Sequence, residues 1–245
     1  MWFVQPRKNY VPEMPWERTD EPELMSWQVR VRDYNTYVAN VGFFIMLLFM
    51  GGLWFFLGFV AGEDEFIKKA SIVMFFLMIP VAMSMTHQTS IIVYRLTNKG
   101  YEKISWKPQI DSVKPVMKWT AIISGIAVLV ASFFNPYFLL GAVGPAGFGL
   151  IALAMGNSKG YQSLVRGERH ENRGWDAVEE IVLWNKRRLI GLKMTFDDGF
   201  GPHSSYQKIY CKKGDVEKVL GFIKSATPDV DFLERKLIVN EISAQ

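Results

Sequence analysis

The sequence predicts an α-helical integral membrane protein with four transmembrane helices in two hairpins and a small cytoplasmic α+β domain. The chain has 245 residues, of which 49% are apolar and 14% aromatic, but its charges are unevenly placed. Residues 37–155 carry 13 charges, whereas residues 1–36 carry 11 and residues 156–245 carry 28. A long apolar middle between two polar ends excludes an ordinary soluble domain, a disordered chain and a secreted disulfide scaffold.

The clearest membrane segment is Val41–Ala61, a run of 21 residues without a charge. At 1.5 Å per residue its helix is about 31 Å long, which matches a bilayer core of about 30 Å. A second uncharged run covers Ala70–Tyr94, and Pro80 predicts a kink in it. Residues 37–94 therefore form the first predicted transmembrane hairpin.

Residues 119–155 form the second predicted hairpin, with a turn at Asn135–Pro136. Its first run, Trp119–Phe134, has only 16 residues, so a re-entrant hairpin is the alternative. Small residues recur four apart in this stretch, and such spacing allows close helix contact in lipid, either within one chain or in a homo-oligomer. The residues predicted for this helix packing are Ala121, Gly125, Ala127, Ala131, Ala142 and Ala146.

The basic residues predict the orientation. With four spans, residues 1–36, 95–118 and 156–245 lie on one side and hold 26 of the 28 Lys and Arg residues. The positive-inside rule places that side in the cytoplasm, here of a bacterial inner membrane, with both termini cytoplasmic. The net charge of +4 then has a topological cause, and no basic recognition element for nucleic acid is evident.

Two polar segments flank the first predicted hairpin. Residues 1–36 form a cytoplasmic N-terminal segment, in which Glu23–Tyr37 is either an amphipathic helix on the membrane surface or a tail packed on the cytoplasmic domain. Residues 95–118 form a cytoplasmic loop. The alternation within Ile91–Trp106, around Asn98 and Gly100, predicts a strand–turn–strand at its start.

Residues 156–245 are predicted to form the cytoplasmic α+β domain. Trp175–Leu192 fits a helix face and a strand equally well. Asp215 is a candidate N-cap for a helix over Val216–Lys224, whose apolar stripe is Val216, Val219, Leu220 and Ile223.

Two pieces of the chain resemble bacterial membrane proteins with pleckstrin-homology-like cytoplasmic modules. They are the strand and turn of Tyr94–Gly100, and residues 205–232, where a strand runs into a polar turn, an amphipathic helix and a Thr-Pro-Asp tail. The second membrane hairpin separates the two pieces, which departs from the family pattern. The resemblance implies binding or assembly and no catalytic residues.

Sites for chemistry are few in the sequence. His87 with its polar neighbours could line an ion path, although hydrogen bonding between helices explains it as well. Asp197, Asp198 and His203 match no calcium or zinc pattern, and a hairpin loop explains them better. We predict no catalytic residue, no cofactor and no metal.

Two basic clusters are candidate contacts for anionic lipid headgroups. They consist of Lys186, Arg187 and Arg188, and of Lys212 and Lys213. A solvated cytoplasmic face that sets the topology is the alternative.

These features predict a non-catalytic inner-membrane protein that acts through protein partners, either as an accessory subunit of a membrane machine or as an immunity protein against a membrane-targeting toxin. A subunit of an oligomeric channel or transporter is the alternative, although charged residues are absent from the apolar runs. The expected partners are the lipid bilayer, other membrane or cytoplasmic subunits and a second copy of the chain, but not nucleic acid.

Overall fold

The computed structural model describes residues 9–62, 64–108, 157–197 and 201–237, with single helical positions in the stretch from 109 to 156. The strands of the described part are β1 (Met25–Val31), β2 (Ser90–Leu96), β3 (Gly100–Trp106), β4 (Arg169–Gly174), β5 (Val178–Trp184), β6 (Leu189–Asp197), β7 (Pro202–Tyr210) and β8 (Asp231–Glu234). Its helices are α1 (Thr36–Phe55), α2 (Glu65–Thr86), α3 (Lys159–Arg166) and α4 (Val216–Ala226). Short 3-10 turns lie at Val11–Glu13, Trp175–Ala177 and Asn185–Arg187, and α1 continues into a π-helical turn, Phe56–Val60.

The first sheet is antiparallel and follows the chain order β1-β2-β3-β4. Its strands come from distant parts of the sequence, because α1 and α2 lie between β1 and β2, and about sixty residues separate β3 from β4. Segments on both sides of each apolar stretch therefore meet in one sheet.

The second sheet has the order β7-β6-β5-β8. β5, β6 and β7 form an antiparallel meander, and β8 adds to β5 in parallel after the chain has passed through α4. Leu237, which follows β8, packs over Gly191 of β6, where an added Cβ would come within 2.8 Å of its side chain.

One hydrophobic core joins the two sheets and α4. Trp27 of β1 stacks on Tyr94 of β2 with 5.0 Å between ring centroids, and its indole N–H donates to the carbonyl of Tyr210 in β7 at 2.9 Å. The Tyr94 hydroxyl donates to the carbonyl of Lys208 at 3.0 Å. Leu192 of β6 is fully buried in the same core.

The N-terminal segment, residues 9–24, lies on the outer face of the first sheet. Tyr10, Val11 and Trp16 pack against a small cluster that includes Ile91 and Trp106. This face of the sheet is therefore covered by the chain's own N-terminal part.

Buried charges fasten the N-terminal segment to the first sheet. The fully buried carboxylate of Glu102 accepts the backbone N–H groups of Glu17 at 2.8 Å and Arg18 at 2.7 Å. The buried guanidinium of Arg95 donates to the carbonyls of Arg18 at 2.8 Å and Glu21 at 2.7 Å. Both charges are satisfied by backbone groups, as burial of an ion requires.

α1 and α2 form an antiparallel helical hairpin. Asn35 caps α1, since its side chain accepts the N–H groups of Tyr37 and Val38. Contacts then run in opposite directions along the two helices: Phe43 meets His87 with 5.1 Å between ring centroids, and an added Cβ on Gly58 would lie 2.7 Å from the side chain of Ser71. The π-helical turn that continues α1 therefore lies close to α2 at Gly58.

The outward surface of α1 is apolar. Leu48 is 77% exposed and Phe49 is 72% exposed. The most apolar 18-residue window of Thr36–Val60 has a mean hydropathy of 2.4, and only 11% of that window is buried inside the protein. By length and composition it is apolar enough to cross a membrane, and little of it is buried by the described residues.

The predicted four-span fold class is wrong. The described residues form two β-sheets around a shared core, and Thr36–Val60 is the one helix among them that qualifies as a membrane span. The multi-pass assignment is wrong for the same reason. Hydropathy detects helices that are apolar all round, but half-buried strands mix polar and apolar residues and give no such signal.

The structure also decides two local predictions. The amphipathic helix predicted over Glu23–Tyr37 is wrong, because β1 occupies Met25–Val31, and its alternate residues Met25, Trp27, Val29 and Val31 face the core. The ambiguous segment Trp175–Leu192 is extended, with β5 and the start of β6 joined by a 3-10 turn. The second predicted hairpin, residues 119–155, lies outside the described residues apart from single positions.

Candidate functional site

The two basic clusters singled out in the sequence come together at one end of the second sheet. Lys186 and Arg188 belong to the turn between β5 and β6, and Lys212 and Lys213 belong to the turn between β7 and α4. The first pair of the β6–β7 ladder is Leu189 with Tyr210, and the N–H of Cys211 donates to the carbonyl of Arg188 at 2.9 Å. These contacts hold the two basic turns side by side.

Arg187 has a different role from its exposed neighbours. Its guanidinium donates to the carbonyls of Arg32 at 2.5 Å and Tyr34 at 3.3 Å, in the segment that leads from β1 into α1. The same guanidinium lies over the rings of Trp184 and Tyr210, at 5.4 Å and 5.8 Å from their centroids. Arg187 thus ties the first basic turn to the beginning of α1.

Asp33 adds a second tie between the start of α1 and the second sheet. Its carboxylate accepts the hydroxyl of Tyr210 at 3.0 Å and pairs with the ammonium of Lys208 at 2.6 Å. Burial, with the negative charge of Asp33 next in size, raises the pKa of Tyr210 well above its ordinary value, so the phenol keeps its proton and remains the donor.

The first sheet contributes basic residues at the same end. The register pairs Val31 with Ser90, Ile91 with Trp106 and Ser105 with Arg169, so β1 ends where β2 begins, β3 ends and β4 begins. The backbone N–H of Lys107 donates to the carbonyl of Arg166 at 2.8 Å, and the Arg166 guanidinium lies over the ring of Trp106 at 5.7 Å.

We call the combined surface the basic collar. It consists of Lys107, Arg166, Arg169, Lys186, Arg188, Lys212 and Lys213. Acidic neighbours are fewer: Glu168 lies 3.4 Å from Arg166, and Asp215 and Glu217 begin α4. The collar lies beside the start of α1, to which Arg187 ties the first basic turn. The end of α2 returns to the same place, since the Tyr34 hydroxyl donates to the Thr86 carbonyl at 3.0 Å.

The four exposed cations in the two turns have no ion pair within the described ranges, since no acidic group there approaches them within 4.0 Å. Arg188 also adopts a left-handed backbone conformation, with φ of 50°, and Gly214 has φ of 92°. These conformations produce tight turns that present the lysines and Arg188 outward.

The described residues offer little for catalysis. No group of three or more His, Cys, Asp or Glu side chains in these ranges could hold a metal ion. Burial raises the pKa of Cys211 to about 12, with Asp215 the next cause, so its thiol is a weak nucleophile near neutral pH.

The three histidines are separated in the structure. His87 follows α2, and its Nδ1 lies 2.8 Å from the Thr86 hydroxyl. His170 bridges Glu102 and Glu17 at 3.1 Å and 3.2 Å. His203 lies near Phe196 in the β6–β7 hairpin. The structure does not bring the three together.

Sequence reasoning found the four exposed cations but missed what positions them. Arg187 was grouped with its neighbours because a basic triplet gives no sign that its middle residue is a clamp. Asp33 and the buried pair of Arg95 with Glu102 lie in segments predicted as tail and loop, where local patterns carry no information on tertiary contacts. The predicted helix-packing residues Ala121, Gly125, Ala127, Ala131, Ala142 and Ala146 lie outside the described residues.

No family model matches this chain, and comparisons with curated proteins and with solved structures found no match.

Proposed function

We propose that the protein is a non-catalytic membrane-anchored protein that acts through protein partners, as an accessory subunit of a membrane machine or an immunity protein. α1 supplies the anchor together with α2, with which it forms a hairpin that enters and leaves on the side of the first sheet, because β1 and β2 pair in that sheet. The two sheets form a module held against the membrane surface. The observation that carries the proposal is that an exposed apolar helix leaves the module through its most basic end.

The orientation follows from the same end of the molecule. The positive-inside rule favours the cytoplasm for basic residues next to a membrane helix. The basic collar flanks the start of α1, so we place the module on the cytoplasmic face of a bacterial inner membrane.

A binding role is supported by the character of the described surface and core. The shared core is filled by large side chains such as Tyr94, Tyr101 and Leu192. Tyr94–Gly100 and residues 205–232 resemble pleckstrin-homology-like modules, a family that implies binding or assembly.

The test is fractionation and cross-linking of the full-length protein in bacterial cells. We expect it in the membrane fraction after an alkaline wash, and we expect Leu48→Arg with Phe49→Arg to release it, because two charges oppose insertion of α1. The matched control is Lys99→Arg with Lys224→Arg, which leaves α1 unchanged.

Photo-cross-linking from Ser204, on the exposed outer half of β7, then separates the functions. Cross-links to a different protein support the partner-binding role. Cross-links only between copies of the chain favour the channel or transporter alternative, and an unmodified protein in the soluble fraction contradicts the anchor.

A further inference from the structure

We propose that the basic collar binds the phosphate groups of anionic phospholipids in the leaflet at which α1 begins. The inference rests on the proposed membrane attachment and names the ligand of the surface beside the anchor. It concerns Lys186, Arg188, Lys212 and Lys213 first, with Lys107 and Arg169 extending the surface along the first sheet.

The collar is fixed in position relative to the membrane helix. Arg187 bonds to the two carbonyls before α1, and Asp33 binds Lys208 and Tyr210 of β7. These bonded groups lie on Arg32, Asp33 and Tyr34, immediately before Asn35, the N-cap of α1. A helix inserted in a bilayer therefore brings the collar to the headgroup layer without any rearrangement.

The charges of the collar are available for a ligand. The four turn cations have no acidic partner in the described part of the chain, and each is exposed at its turn. A lysine or arginine close to an anionic membrane surface strengthens binding roughly fivefold, which corresponds to about 1 kcal/mol for each residue. Three such charges together account for up to about a hundredfold preference.

Lipid phosphate fits the surface better than an acidic protein does. The cations are spread around the point where α1 and α2 meet the sheets, so a protein partner would have to enter the space between the module and the bilayer. Headgroups already occupy that space. Basic residues beside a membrane helix are also the usual arrangement for recognising anionic lipids.

The experiment uses the full-length protein in nanodiscs of phosphatidylcholine alone and in nanodiscs with one third phosphatidylglycerol. After gentle extraction, native mass spectrometry measures the phosphatidylglycerol retained per protein. We compare the unmodified chain with Lys186→Gln, Lys212→Gln and Lys213→Gln combined. The matched control combines Lys99→Gln, Lys193→Gln and Lys224→Gln, three lysines away from the collar.

We expect the phosphatidylglycerol enrichment to be at least tenfold lower for the collar variant than for the unmodified chain. The control variant should keep the enrichment of the unmodified chain. Salt at 0.5 M should reduce the enrichment for the unmodified chain, because screening weakens contacts between exposed charges. Equal thermal melting of the two variants shows that the loss is not caused by unfolding.

Equal enrichment in both variants overturns the inference while leaving the anchor intact. Failure of the unmodified chain to enter either kind of nanodisc overturns the proposed membrane attachment itself. Loss of a protein cross-link in the collar variant, with lipid enrichment unchanged, assigns the collar to a protein partner and also overturns the inference.

Discussion

Side chains that are adjacent in the sequence of this protein have different structural roles. Lys186 and Arg188 point into solvent, whereas Arg187 between them bonds to the carbonyls of Arg32 and Tyr34. The difference arises because the 3-10 turn places successive side chains in different directions. The middle cation faces the start of α1, and the flanking cations are left for the surface.

The clamp predicts a difference between adjacent substitutions. Arg187→Met keeps the length of the side chain but leaves two carbonyls without their donor, so we expect the free energy of unfolding to fall by about 2–3 kcal/mol. Lys186→Met, one residue earlier and exposed, should change it by less than about 0.5 kcal/mol. Chemical denaturation in mild detergent measures both, and equal effects would contradict the clamp.

Glu102 predicts a larger effect at the N-terminal segment. Glu102→Gln places an amide N–H₂ where two backbone N–H groups now donate, so we expect a loss of about 2–4 kcal/mol and detachment of residues 9–24. Limited proteolysis should then cut within that segment. Glu217→Gln, on the exposed first turn of α4, serves as the control and should leave the digestion pattern unchanged.

The thiol of Cys211 gives a direct measure of burial. With a pKa of about 12 its thiolate fraction at pH 8 is roughly a thousandfold below that of an ordinary thiol, so alkylation should be very slow until the protein unfolds. Because the folded pKa is raised, the unfolded state gains by ionising, and stability should fall as pH rises from about 8.5 toward 12. Rapid alkylation of the folded protein at pH 8 would show that the site is open.

At the scale of elements, the helical hairpin contains a close approach at Gly58. An added Cβ at Gly58 would lie 2.7 Å from Ser71, whereas one at Gly52 would meet nothing within 4 Å. A stripe of small residues was expected in the second hairpin, and the structure shows that the first hairpin has its own point of close contact.

This contact predicts different outcomes for two glycines of one helical stretch. Gly58→Leu should force the two helices apart and lower thermal stability in detergent by about 1–3 kcal/mol, the usual range for overpacking. Gly52→Leu should be nearly neutral, because its side chain points into open space. If both variants melt alike, α1 and α2 do not pack through Gly58.

Local patterns in the sequence predict some elements and not others, for physical reasons. The stripe of α4 is visible because Val219 and Ile223 recur at helical spacing, and both are buried as predicted. Asp215 stands at the predicted N-cap position, but its side chain makes no capping bond. Met25, Trp27 and Val29 also show the period of two that is typical of a strand. The segment around them is basic and amphipathic, however, and this favoured the prediction of a helix on the membrane surface.

Pairing between distant strands is what sequence reasoning could not supply. Nothing near Arg169 indicates that it pairs with Ser105, some sixty residues earlier. The basic collar was predicted as two clusters because each is local, whereas their union depends on the β6–β7 register and on Arg187. The composition of the sequence therefore predicts the two basic clusters, but only the topology of the fold shows that they form one surface.

At the scale of the whole molecule, the two sheets share one core although β4 to β8 follow the long apolar stretch. Trp27 and Tyr94 come from the first half of the chain, and Tyr210 and Leu192 from the second. Side chains from each half of the chain are therefore buried by side chains from the other half.

The shared core predicts that the two halves fold only together. Residues 157–245 expressed alone should lack a cooperative melting transition and should be digested rapidly, because β4 has no partner strand. Co-expression with residues 1–108 should give a complex that copurifies in mild detergent, and Trp27→Ala in the first fragment should weaken it. A sharply melting 157–245 fragment would contradict the shared core.

The bond between Trp27 and Tyr210 spans 183 residues, and this distance has a consequence for biosynthesis. A ribosome that adds roughly 5–20 residues per second needs about 10–40 s to make the second partner after the first. During that interval α1 and β1 to β3 have already been made, while the strand that pairs with β3 has not. The two sheets therefore close only late in synthesis, and until then the edge of β3 has no partner strand.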